Sequence, residues 1–168
     1  VAIAEFLGAG QQYPHLAGLQ PDLYRCFMEQ AWRHTSAIGR VGLIHPETHF
    51  TDEKAGILRR ATYHRLRRHW QFINELVLFD IDHHVNYGVH VYGTAREHVR
   101  FRHATSLYHP ETVERSLIHE GTGPEPGLKD PDGNWDLRPH SDRIIEVTAD
   151  VLKTWHDVLE KDDVPIGH

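Results

Sequence analysis

The stretch VGLIHPETHFTDEKAGILRRATYHRLRRHWQFINELVLFDIDHHVNYGVHVY (41–92) decides the fold. VGLIHP (41–46) is a short apolar run ended by proline, as expected of a buried strand in a parallel sheet. Thr51 or Asp52 can then cap a helix running to about His69, with Ala55, Leu58, Ala61 or Thr62, and Leu66 on its inner stripe and its arginines outside. QFINELVLF (71–79) and YGVHVY (87–92) are rich in β-branched and aromatic residues, so both read as strands, joined hairpin-fashion through DIDHHVN (80–86).

Upstream, residues 1–20 are rich in Gly and Gln and contain Pro14, which reads as a loop. Pro21 and Asp22 mark a helix start, and Leu23, Phe27 and Ala31 recur at the four-residue spacing of one apolar face, with the helix stopping near Ser36–Gly39. The order helix, strand, helix, strand, strand is that of the closing half of a doubly wound α/β sheet. After Gly93 the pattern loosens into an α+β extension. Pro110 fits the first turn of a short helix in HPETVERSL, and the four glycines and three prolines of residues 121–133 read as a long ordered loop. RIIEV (143–147) reads as a strand, and a last helix from Thr148 carries Val151, Leu152, Trp155, Val158 and Leu159 on one face.

The 168 residues fit one ordinary domain, and 39% hydrophobic with 25% charged residues excludes disorder and a coiled coil. Cys26 stands alone, which excludes an internal disulfide framework and a Cys-rich zinc site. No apolar run approaches the ~18–20 residues of a membrane span, and VAIAEFLGAG has no basic residue before its apolar ones, so a cytoplasmic protein is expected. The net charge of −6 is unevenly spread. Residues 59–103 carry 8 basic and 4 acidic groups, whereas residues 104–168 carry 6 and 14. The basic island holds Arg59, Arg65, Arg68, Arg96, Arg100 and Arg102, which suits either phosphate contact or a solvated surface.

The densest polar cluster is DIDHH (80–84), with His90 downstream. Carboxylate oxygen and imidazole nitrogen suit manganese or zinc, so Asp80, Asp82, His83 and His84 are candidate metal ligands; an exposed turn is the alternative. The DHH sequence also resembles that of the DHH phosphoesterases, which would imply a metal-dependent phosphodiesterase or nuclease. The aspartates that family carries on preceding strands are absent from VGLIHP and FINELVLF. HPETH (45–49) ends a strand, where ligands of open sheets gather, so Glu47 or His49 can face a site or simply form a turn. Cys26 beside Phe27 reads as a buried, inert thiol. No G-x-S-x-G presents a serine, and GTGPEPG (121–127) follows no strand and opens no helix.

Taken together, residues 11–32, 39–93 and 109–144 look like the Eco57I-like adenine-N6 DNA methyltransferases of restriction-modification or phage-defence systems. The resemblance implies a Rossmann-like sheet in which a strand like VGLIHP, a helix and two further strands follow one another, the last strand slotting in antiparallel. It implies that residues 1–93 are the C-terminal part of the catalytic domain and residues 94–168 an extension leading toward a target-recognition region. It further implies that Phe79 stacks on the extrahelical adenine and that Arg59, Arg65, Arg68, Arg96, Arg100 and Arg102 touch DNA phosphates. The glycine-containing turn that binds S-adenosylmethionine and the Asn/Asp-Pro-Pro-aromatic tetrapeptide of that family are both missing. The expectation is therefore a downstream fragment, inactive alone, whose longer parent binds the cofactor. Its open sheet would pair with the missing half or with another copy. A non-catalytic interaction module is the remaining expectation.

Overall fold

The computed structural model describes residues 10–20, 22–160 and 164–167. Pro21, half of the expected helix start, and the opening nine residues lie outside them. Strand β1 (Val41–Pro46) forms from VGLIHP. A one-turn helix α2 (Thr48–Thr51) and a 3-10 turn (Glu53–Ala55) lead into α3 (Gly56–Arg65), so a first helix α1 (Leu23–His34) and α3 flank β1 in the chain. Asp52 closes the α2 junction by accepting from the backbone N–H of Lys54 at 3.0 Å. Ala55, Leu58, Ala61, Thr62 and Leu66 are all buried, as their stripe predicts.

Helix α3 ends at Arg65 rather than His69, and strand β2 (Leu66–Ile73) starts earlier and stops earlier than the expected 71–79. Trp70 and Phe72 alternate inward from Arg68 on, whereas Asn74 opens a 3-10 turn (Asn74–Leu76) followed by Val77 at φ 49°. A β-branched residue in that left-handed region marks a turn and not a strand. Strand β3 (Asn86–Tyr92) falls where expected.

Strand β3 lies between β1 and β2 and runs antiparallel to both, so β1 and β2 are parallel without touching. The five-stranded sheet has the order β1-β3-β2-β4-β5. Its fourth strand, β4 (Arg100–Leu107), is parallel to β2 and was not expected from the sequence. Its buried residues show no period of two, because Phe101 faces one side of the sheet and Ala104 and Leu107 the other, and the irregular backbone at Ser106, φ 54°, brings Leu107 to the face of Ala104. Strand β5 (Ile145–Thr148) pairs antiparallel with β4. The sheet thus continues past residue 93, and the expected extension adds two strands to it. Between them, α4 (Pro110–Ser116) is capped by His109, whose Nδ1 accepts from the Glu111 N–H at 3.3 Å.

Both faces of the sheet are covered. Trp70, Phe72, Tyr87, Ala104, Leu107 and Val113 pack on one. Leu58, Leu66, Tyr92, Phe101 and Val147 pack on the other, beneath Met28 and Trp32 of α1 and Leu152 of α5 (Ala149–Leu159). The apolar face read for α1 is wrong: Leu23 and Phe27 are exposed, and Arg25, Cys26, Met28, Glu29 and Trp32 are buried. That mixed row goes inward because its charges have partners, Arg25 with Asp52 at 2.9 Å and Glu29 with Arg33 at 3.5 Å and the His15 backbone N–H at 3.3 Å. On α5 only Leu152 is fully buried, while Val158 and Leu159 face outward. No helix among the described residues is long and apolar enough to cross a membrane.

Candidate functional site

The connection from β2 to β3 is organised by Asn74, which is completely buried. Its Oδ1 accepts from the Phe79 N–H at 3.1 Å, and its Nδ2 donates to the carbonyls of Phe79 and Ile81 at 2.9 and 3.0 Å. Phe79 therefore sits in a defined loop six residues past the end of β2, and does not close the strand. The residue is 41% exposed, and its ring meets that of Tyr87 in an edge arrangement with centroids 5.0 Å apart.

In the same loop, Asp82 accepts from the backbone N–H of His84 at 2.8 Å and lies 3.1 Å from its Nδ1. These contacts, led by the backbone N–H, hold the Asp82 carboxyl below the usual carboxylate range. Asp82, His83 and His84 bring ligand atoms within 4.8 Å of one another on an exposed surface; Asp80 is not part of that group.

The six arginines do not form one surface. Arg59 is buried, and its Nη1 donates to the carbonyls of His49, Phe50 and Asp52 at 3.3, 3.0 and 3.1 Å. It ties the end of α2 to α3 and is not available to a phosphate. Arg65 lies over the Trp32 ring at 4.8 Å and donates to the Ala61 carbonyl. Arg100 pairs with Glu146 at 3.0 Å. Arg68 and Arg102 are exposed register partners on β2 and β4, and Arg96 is exposed just beyond β3. These three lie toward the start of β2, whereas Phe79 follows its end; the strand from Arg68 to Ile73 alone is about 17 Å long at the rise of a strand.

A second cluster, most of it missed in the sequence, spans the sheet. His45 of β1, His90 of β3, His69 of β2 and His103 of β4 stack side by side, with ring centroids 3.9, 4.6 and 4.6 Å apart. Three of them use Nδ1–H to donate to a carbonyl: His45 to Pro46 at 2.7 Å, His90 to Gly88 at 3.0 Å and His103 to His69 at 3.2 Å. Their Nε2 atoms are left as acceptors, and that of His45 takes the Tyr92 hydroxyl at 2.9 Å. Burial pushes His45 and His103 each down to about 4 and His49 and His90 well below the ordinary value. Glu47, at the strand end singled out by HPETH, accepts from His69 Nε2. His49 is fully buried against Phe50, and neither ring nitrogen has a protein partner. A cavity of about 210 Å³ opens beside Glu47, His69, Gln71, His103 and Trp155. The sequence signals for this cluster were HPETH and the lone His90; the rest are single histidines brought together by strand register.

No known protein-family profile matches the chain. No curated protein matches it either. Among solved structures, 92% of the chain aligns with part of the type IIG restriction endonuclease BpuSI, with a TM-score of 0.52 and 12% identity. At that identity the likeness concerns the fold alone. The chain spans 18% of that enzyme's length.

Proposed function

We propose that this chain is part of a DNA adenine-N6 methyltransferase of a restriction-modification or phage-defence system, supplying the side of the target-base pocket that carries Phe79. One observation carries the reading: β3 is inserted antiparallel between the parallel strands β1 and β2, with Phe79 in the connection that leads into it. That is the strand arrangement implied by the resemblance to Eco57I-like methylases. The fold likeness to a type IIG restriction endonuclease supports the setting.

Phe79 would take an adenine already out of the duplex, offsetting part of an unstacking cost of a few kcal/mol. Arg68, Arg96 and Arg102, at the other end of β2, would contact phosphates away from the flipped base. The residues here do not fit S-adenosylmethionine. Strand β1 passes into α2 through Glu47 with no glycine, and no Asn/Asp-Pro-Pro-aromatic sequence is present. The cofactor belongs to the longer parent, and the transfer step is not assigned to these residues. The outer edge of β1 pairs with no strand among the described residues, and Ile44 on it is 58% exposed. That edge suits completion of the sheet by further strands of the parent or by a second copy.

The test is duplex binding by fluorescence anisotropy, comparing adenine opposite an abasic site with adenine in a full pair. The wild-type chain should prefer the abasic duplex about tenfold, a stacking term of ~1–3 kcal/mol, and F79A should lose that preference while F79W keeps it. Failure to bind duplex DNA, or an unchanged preference in F79A, overturns the reading. A second reading, metal-dependent phosphodiester hydrolysis, is favoured only by the proximity of Asp82, His83 and His84. Cleavage with Mn²⁺ that disappears in H83A/H84A would favour it instead.

A further inference from the structure

Three ligand-type atoms of the histidine layer converge on one point. Glu47 Oε1, His69 Nε2 and His90 Nε2 all lie within 4.8 Å of one another, two of the residues being buried and Glu47 half-buried. His69 and His90 are direct cross-strand partners of β2 and β3, and Glu47 follows the last residue of β1. Backbone register therefore sets two ligands rigidly, and a short turn supplies the third.

Two further observations point to a missing occupant. His90 is completely buried, its Nδ1–H is committed to the Gly88 carbonyl, and its Nε2 has no partner in the protein. A histidine fixed by a carbonyl on one nitrogen with a free lone pair on the other is prepared to ligate a metal. The space at the convergence point also depends on Gly88. A Cβ there would lie 2.6 Å from His90 Nε2 and 2.8 Å from Glu47 Oε1, so any side chain at this position fills the site.

We infer that Glu47, His69 and His90 form a divalent-metal centre, with zinc the ion that suits the set. Two imidazole nitrogens and one carboxylate are a zinc donor set that leaves a fourth position open. Tetrahedral bonds of about 2.0–2.2 Å put ligand atoms roughly 3.4 Å apart, so closure needs shifts of about an ångström. The ion takes the place of the hydrogen bond between His69 Nε2 and Glu47. Glu47 and His69 also line the cavity described above, which gives the centre a neighbouring space for a fourth ligand. The centre ties the end of β1 to β2 and β3, across three strands. This inference is separate from the DNA reading, and its test needs no nucleic acid.

The exposed group Asp82, His83 and His84 has the same donor set, which makes it the internal control. Untagged chain is stripped with a chelator and titrated with Zn²⁺ against a competing chromophoric chelator. One zinc per chain should bind, and H83A/H84A, whose changes lie on an exposed loop, should bind it equally. E47Q and G88A should each weaken binding at least 100-fold. Should those two variants fail to fold, X-ray absorption on zinc-loaded H83A/H84A decides. Two imidazoles and one oxygen at about 2.0–2.2 Å support the centre. Loss of zinc in H83A/H84A, binding unchanged in folded E47Q and G88A, or a bound ion without imidazole ligands overturns it.

Discussion

Asn74 grips both backbone groups of Phe79, accepting from its N–H at 3.1 Å and donating to its carbonyl at 2.9 Å. A buried side-chain amide thus takes the place of a strand ladder at the point where β2 ends. Alanine at position 74 leaves these backbone groups without partners and should destabilise the chain by about 2–3 kcal/mol. Aspartate should cost more at neutral pH, since its carboxylate would face the Phe79 and Ile81 carbonyls in place of the amide donor. Urea unfolding of the two variants checks both the size and the order.

Arg59 was expected to lie on a DNA-facing surface, and its neighbours show a different role. Its guanidinium is enclosed by the carbonyls of His49, Phe50 and Asp52, at the point where α2 gives way to the 3-10 turn. R59A should cost about 2–4 kcal/mol, and R59K less, because an ammonium retains donors but not the planar fork. R68A, on the exposed part of β2, should stay within about 0.5 kcal/mol of wild type. Equal thermal shifts for R59A and R68A would contradict this division of roles.

The contrast between these arginines shows what local sequence could reveal. VGLIHP and YGVHVY were legible as strands because apolar and branched residues dominate them. LRRHWQFI was not, because its first four residues extend the helical pattern of α3 and a bulge after Leu66 hides the alternation. ELVLF carries strand-like residues, yet Asn74 before it and the left-handed Val77 within it turn the chain. For α1, the purely apolar row lost to a row containing Arg25 and Glu29, because Asp52 pairs with the first, and Arg33 and the His15 backbone N–H with the second. Glu47, His69 and His90 are separated by more than twenty residues at each step and match no spacing motif; only the β1-β3-β2 order brings them together.

The imidazole layer makes stability depend on pH between about 4 and 6.5. His45 and His103 titrate near 4 in the folded chain, held down first by burial, against an ordinary value of 6.5. Their folded values are depressed, so the unfolded chain takes up protons first. Their stabilising effect is complete above pH 6.5, declines between 6.5 and 4, and is exhausted below 4. Each contributes a slope of about 1.4 kcal/mol per pH unit inside that window. Protonation of His45 also removes the acceptor for Tyr92, and His69 and Glu47 lie close enough to modulate the curve. Chelator-treated chain should show flat urea stability from pH 7 to 8 and a steady loss from 6.5 toward 4. Stability that rises on acidification would exclude a buried, neutral histidine layer.

A second acid-sensitive element lies in the long loop before β5. The Asp136 side chain is fully buried and accepts from Arg138 Nε at 3.0 Å, from Arg138 Nη2 at 2.6 Å and from the Gly127 N–H at 3.0 Å. The Arg138 side chain first, and then the backbone donors, hold its carboxyl well below the usual carboxylate range. A depressed carboxylate contributes stability above its unfolded value of about 3.9 and loses it as pH falls further, so this effect begins where the histidine effect ends. D136N keeps the shape but removes the charge and replaces one acceptor by a donor facing Arg138. It should cost about 2–3 kcal/mol and open residues 121–138 to limited proteolysis. It should also flatten the loss of stability below pH 4 while leaving the 6.5-to-4 slope intact, which separates the two elements in one set of unfolding curves.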